Sequence, residues 1–219
     1  MMLDFRIAAA ILNAFHKGID SDLGDGPSIA ARMLGRILKP NLLRELVSAK
    51  RLDRRSASFV DMSGDSIPGF PFLTLADLRI LALGSYQLEQ ALSYDAEHSK
   101  ADGRYLIQLC RHTGPLELTS HGISAEDPML IRGRLQSRHQ NSTKYFIYIL
   151  VDVEKFGVEA VVEYTYQCKN GSRTVGCCAH IMAVLWYLRY GRHQPEIPLP
   201  AASQDEVCVV ETSTDEDST

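Results

Sequence analysis

The feature that most constrains this chain is a change of rhythm near residue 100. Before it, apolar side chains recur with a period close to 3.6; after it they alternate with a period near 2. The runs RYLIQLCRH (104–112), PLELTSHG (115–122), MLIRGRLQSRH (129–139), KYFIYILVD (144–152) and VEAVVEYTYQC (158–168) predict five strands. Connections as short as DVEKFG predict antiparallel hairpins rather than crossovers. Ile181–Tyr190 then returns to helical spacing, with Ile181, Val184, Leu185 and Leu188 on one stripe. The expected class is α+β: N-terminal helices, then an antiparallel β-sheet ending in a unit of two strands and a helix.

Within the first part, Phe5, Ile7, Ile11, Leu12 and Phe15 predict a helix over Asp4–Lys17. A second is expected over Ile29–Leu38, after Pro27, and a third over Leu42–Leu52, capped by Asn41. Thr74 with Asp77 three residues on forms a capping box ahead of a long helical pattern, LADLRILALGSYQLEQALSYDAEH, weakened at Gly84. The breakers in MSGDSIPGFPF make 62–72 a linker. The expected organisation is therefore a helical segment (1–61), the linker (62–72), a helix with strands (73–155), a finger-like unit (156–193) and a tail (194–219).

The opening MMLDFRIAAAILNAF imitates a signal peptide, but Asp4 and Arg6 interrupt it, and an ordinary core helix explains it better. No apolar run is long enough for a membrane span. The five cysteines are an odd number with three of them clustered, which points to metal or redox chemistry in a reducing compartment rather than to a disulfide framework. Six acidic residues and no basic ones fall in Ser203–Thr219, which reads as a disordered tail. Taking those six from 27 leaves 21 acidic against 23 basic residues, too even a balance to imply nucleic-acid binding alone.

The chemistry gathers near the C-terminal end. Cys168, Cys178 and His180 have zinc-ligand character and spacing: one thiolate at a strand end, the other two ligands at a helix start. KNGSRTVG between them holds Asn170-Gly171 and Gly176, residues that permit tight turns, and a helix N-terminus favours a nearby thiolate. Residues 168–193, CKNGSRTVGCCAHIMAVLWYLRYGRH, resemble a SWIM-type zinc finger, Cys-x-Cys, a variable loop, then Cys-x-His. The resemblance is to the C-terminal region of DDE-type transposase-like proteins. It extends upstream through LADLRILALGSYQLEQALSYDAEH and LQSRHQNSTKYFIYI, and the first 60 residues resemble the stretch just past the nuclease domain.

That resemblance implies a structural Zn2+ and a DNA or protein partner. Its first cysteine falls on Tyr166, a poor ligand because a phenol ionises near pH 10. Cys168, Cys178 and His180 remain, and the fourth place is open to Cys177, to water or to nothing. Cys177 is awkward, since adjacent residues entering a helix point in different directions. The competing reading is a metal-free finger held by Tyr166, Ile181, Leu185 and Trp186.

For nucleic acid, Arg132, Arg134 and Arg138 alternate on one strand face, and Lys169 and Arg173 add charge near the finger. A further basic group, Arg44, Lys50, Arg51, Arg54 and Arg55, is either a solvated helix face or a phosphate-contacting patch. No carboxylate pair or phosphate-binding glycine loop is framed for catalysis. The expectation is a non-enzymatic zinc-binding module in the nucleus or cytoplasm, with a nucleic-acid or protein partner, no small-molecule substrate and no membrane. The alternative is a protein-interaction or structural fragment with a degenerate finger.

Overall fold

A computed structural model describes Ile7 and residues 26–54, 58–62, 67, 69–91, 106–110, 118–136, 144–168 and 174–193. The helix expected over Asp4–Lys17 and the acidic tail lie outside these residues, apart from Ile7.

Local signals set the helix starts. Pro27 sits in the first turn of α1 (Gly26–Ile37), where its missing N–H costs nothing. Asn41 opens α2 (Leu42–Ala49) with both ends of its amide. Its Oδ1 accepts the Arg44 N–H at 2.8 Å, and its Nδ2 donates to the Tyr164 carbonyl at 2.8 Å. α2 ends at Ala49 rather than Leu52, and Arg51 adopts φ +49° in the turn beyond. α3 (Leu75–Ala82) begins with the expected capping box: Thr74 Oγ1 accepts the Asp77 N–H and Asp77 Oδ2 accepts the Thr74 N–H. The pattern foreseen as one long helix stops there. Leu83 is left-handed at φ +58° and Gly84 follows at φ +126°, so the helix breaks before resuming over 86–91.

Among the described residues, five strands form one antiparallel sheet in the order β1 (Phe59–Met62), β2 (Leu106–Cys110), β3 (Pro128–Gln136), β4 (Lys144–Asp152) and β5 (Val161–Tyr166). Four of the expected runs supply strands; the described part of PLELTSHG does not. Its described part, 118–122, is a helical turn in which the N–H groups of His121 and Ile123 both donate to the Leu118 carbonyl. Gly122 at φ +75° closes that turn, so local turn chemistry overrides the alternating pattern. The fifth strand is instead FVDM, paired with β2 from Phe59↔Cys110 to Met62↔Ile107. Within the expected linker Ile67 is buried and its carbonyl accepts from Arg192 Nη1 at 3.2 Å, and just beyond the linker the carbonyl of the buried Leu73 accepts from Arg189 Nε at 2.8 Å.

The sheet is covered on both faces. Ile131, Ile147, Ile149 and Val151 join α3 and α4 (Ala179–Arg189) in one core, while Leu130, Tyr148 and Leu150 join Leu43, Leu46 and Val47 of α2 in the other. Burial on both sides explains why KYFIYILVD is almost continuously apolar. α4 is buried along its whole length from His180 to Leu188. Gly133 lets it approach: a Cβ there would lie 2.9 Å from Ile147 Cγ1 and 3.5 Å from Val184 Cγ2. At the end of β4, the buried Asp152 carboxylate accepts the N–H groups of Glu126, Asp127 and Glu154 and pairs with Lys155 at 3.3 Å. No helix among the described residues is long and apolar enough to cross a membrane.

Candidate metal centre

The end of β5 and the start of α4 bring three side chains together. Cys168 lies just beyond β5, Cys178 is the N-cap of α4 in an extended conformation (φ −77°, ψ 163°), and His180 is in the first helical turn. The Cys178 carbonyl accepts the Met182 N–H at 3.0 Å and so starts the helix. The two thiols and an imidazole nitrogen all lie within 4.8 Å of one another, and all three residues are buried.

No disulfide joins the two thiols, whose Sγ atoms lie 3.8 Å apart. A disulfide needs about 2.05 Å. Two thiolates about 2.3 Å from one tetrahedral zinc would sit about 3.8 Å apart. The spacing therefore fits a pair of metal ligands and not a covalent bridge. Sharing a proton with Cys168, and burial after it, pushes the Cys178 thiol well above its ordinary pKa. A divalent cation reverses that balance by favouring the thiolate outright.

The loop leading into the helix is anchored on α3. Gly176 holds φ +97°, and a Cβ at that position would lie 2.7 Å from Leu83 Cδ1 and 3.0 Å from Leu83 Cγ. The helix break at Leu83–Gly84 thus provides the surface on which the ligand loop rests.

Of the four ligands expected from the sequence, the structure gathers Cys168, Cys178 and His180. Cys177 is not in the group. It is fully buried in the hydrophobic core, and burial pushes its thiol up to about 12. Tyr166, where the SWIM resemblance would place a first cysteine, donates its hydroxyl proton to the Thr174 carbonyl at 3.2 Å. Burial, with the Cys178 and Cys168 thiols nearby, raises its pKa. The phenol is consequently a strut across the loop, and its ionisation is disfavoured.

The expected nucleic-acid face is corrected at Arg132. This residue is only 3% exposed: its Nε donates to Gln108 Oε1 at 2.7 Å, its Nη1 donates to the Leu52 carbonyl at 3.0 Å, and its guanidinium lies 3.7 Å from the Phe59 ring centre. It shares a strand face with Arg134, as the alternation requires, but α2 and the turn after it cover that face at Arg132. Arg134 is exposed. Arg138, Lys169 and Arg173 lie outside the described residues.

Sequence reading missed the polar partners that Arg132 gains. Gln108, Arg132, Tyr148 and Thr165 are polar-tipped residues on four successive strands. Their mutual contact depends on strand pairing that no local pattern specifies.

No protein-family model matches this chain, and neither does any curated protein or solved structure. The fold and the site define its class: an α+β protein whose described residues form a five-stranded antiparallel sheet and bury, between β5 and α4, a Cys–Cys–His group able to hold a metal ion.

Proposed function

We propose that the chain is a zinc-binding module of the SWIM type, derived from a transposase-like protein, that binds DNA or a protein partner in the nucleus or cytoplasm. Zinc serves the fold and no catalytic step is assigned to it. The observation that carries this reading is the buried meeting of Cys168, Cys178 and His180 at the junction of β5 and α4. Such a site couples metal binding to folding, because the ligands converge only when strand, loop and helix are in place.

A second reading is a protein-interaction or structural fragment with a metal-free finger. The Tyr166 hydroxyl bond to Thr174 favours it, since the loop is closed there without a fourth ligand. Zinc per chain, measured by mass spectrometry on purified protein and on Tyr166→Cys, separates the two. Near one zinc in both proteins supports the first reading. Zinc in the variant alone means that the site has lapsed in this chain, and zinc in neither removes the metal from the proposal.

A further inference from the structure

β1 stands at one edge of the sheet. Among the described residues its only neighbouring strand is β2, paired from Phe59↔Cys110 to Met62↔Ile107. The other edge, β5, is braced: the Asn41 amide donates to its Tyr164 carbonyl, and Arg36 pairs with Glu163 at 3.1 Å. An edge strand offers a row of backbone donors and acceptors to any extended segment within reach. Asp61 in β1 is exposed, and the half-buried Met62 packs against the core shared with α4.

A segment that fits this edge is carried by the same chain. Ser203–Thr219 is polar except for one run, Val207, Cys208, Val209 and Val210, which is as long as β1 and rich in β-branched residues. Asp205 and Glu206 precede that run; Glu211, Asp215, Glu216 and Asp217 follow it. The sequence around β1 has the opposite asymmetry, with Arg51, Arg54 and Arg55 before it and Asp65 after it. The Arg54 side chain is 81% exposed and meets Asp53 only at 3.9 Å, a pair that commits little of its charge.

The end of the described chain lies close by. Arg192 Nη1 donates to the Ile67 carbonyl at 3.2 Å, which holds the turn Gly191–His193 beside a residue five positions past β1. Five residues span at most about 18 Å, and residues 194–206 span about 40 Å when extended. The run Val207–Val210 therefore reaches β1 without strain.

We infer that the β1 edge is the docking site of the chain's own C-terminal run, Val207–Val210, added as an antiparallel strand. Val210 then stands opposite Phe59, Val209 opposite Val60, Cys208 opposite Asp61 and Val207 opposite Met62. This direction sets valines against the three apolar residues of β1 and carries four acidic residues toward Arg51, Arg54 and Arg55. A parallel strand would set Val209 against Asp61 and send those four toward Asp65. Main-chain bonds supply the affinity, as in strand addition generally. Tethering adds an effective concentration on the order of millimolar, so a four-residue contact suffices. A partner that adds a strand at this edge has to displace the tail. No proposed metal ligand takes part, so the inference stands apart from the zinc reading.

Cys208 makes the register testable in the full chain. Asp61→Cys, Val60→Cys and, at the opposite edge, the exposed Glu159→Cys are each oxidised with oxidised glutathione, and the bonds are mapped by peptide mass spectrometry. Equal amounts of light and heavy-isotope chains are mixed beforehand. Expected is a bond from position 61 to Cys208 within one chain, forming about tenfold faster than in the other two variants, because a disulfide needs close and facing Cβ atoms. Equal rates in Asp61→Cys and Glu159→Cys describe a tail that visits the whole surface, and overturn the inference. A faster bond in Val60→Cys overturns the antiparallel register together with the charge argument. Bonds shared between light and heavy chains make the occupant a second copy and overturn docking of the chain's own tail. Asp61 accepts from Gln108, so a second measurement leaves β1 intact. Amide hydrogen exchange over residues 59–62 should be about tenfold faster in Val207→Lys/Val209→Lys than in the parent chain. Unchanged exchange there also overturns the inference.

Discussion

Replacing Arg132 distinguishes a buried structural cation from a phosphate contact. The guanidinium makes two hydrogen bonds, to Gln108 Oε1 and to the Leu52 carbonyl, and lies over the Phe59 and Phe146 rings. Charge-assisted bonds are worth about 1.5–3 kcal/mol each, and a desolvated cation–π contact adds about 0.5–2 kcal/mol. Against this stands the cost of removing the cation from water, several kcal/mol on its own. Arg132→Ala does not recover that cost cleanly, because it leaves two acceptors unpaired and opens a cavity. The net expectation is a loss of about 3–5 kcal/mol. Urea unfolding reads this directly, and the thermal midpoint should fall by roughly 6–20 °C for a chain of this size. Arg132→Met refills the volume and should cost less, about 1–2 kcal/mol, because apolar replacements of buried ions are well tolerated. Arg134→Gln, on the same strand face but exposed, should stay within about 0.5 kcal/mol. An Arg132→Ala cost below about 1 kcal/mol would refute the buried-clamp assignment and return Arg132 to the surface.

Two further perturbations probe the supports of the sheet and of the ligand loop. Burial alone would raise the Asp152 pKa, but the N–H groups of Glu126, Asp127 and Glu154 together with Lys155 outweigh it and hold the carboxyl below its ordinary value. The stability it contributes is therefore present above the unfolded pKa and lost as the pH falls through the folded one. Asp152→Asn should cost about 2 kcal/mol near neutral pH, and urea titrations should show the gap to the parent protein closing below about pH 4. Gly176→Ala meets both a left-handed backbone and the Leu83 side chain, so a loss of about 2–3 kcal/mol is expected. Zinc content measured on the same samples should fall with it if the loop positions the ligands, and unchanged content would separate loop strain from metal binding.

What the sequence made legible was mostly local. Asn41 and the Thr74–Asp77 box placed two helix starts because a cap needs only its own turn, whereas the helix expected from Ile29 begins at Gly26, with Pro27 inside its first turn. β3 and β5 were readable from their alternation and β4 from a near-continuous run of apolar and aromatic residues, with short connections between them. β1 was not: FVDM is brief, follows basic turn residues, and owes its pairing to β2, which lies more than forty residues further along. PLELTSHG misled for the opposite reason, since its alternation is real but Gly122 and the Leu118 carbonyl turn the chain instead. The metal group was legible from spacing, because strand end, loop and helix start are consecutive in the chain. Cys177 shows the limit of spacing: it was kept as a possible fourth ligand because it adjoins Cys178, but it precedes the N-cap and its thiol is in the core.

The two arginines of β3 show where such reading stops. Period-two alternation places Arg132 and Arg134 on the same face, and they are on it. Whether that face meets water or protein is decided by α2 and Leu52, more than seventy residues earlier, which cover one position and leave the other exposed. A strand pattern reports direction, not cover.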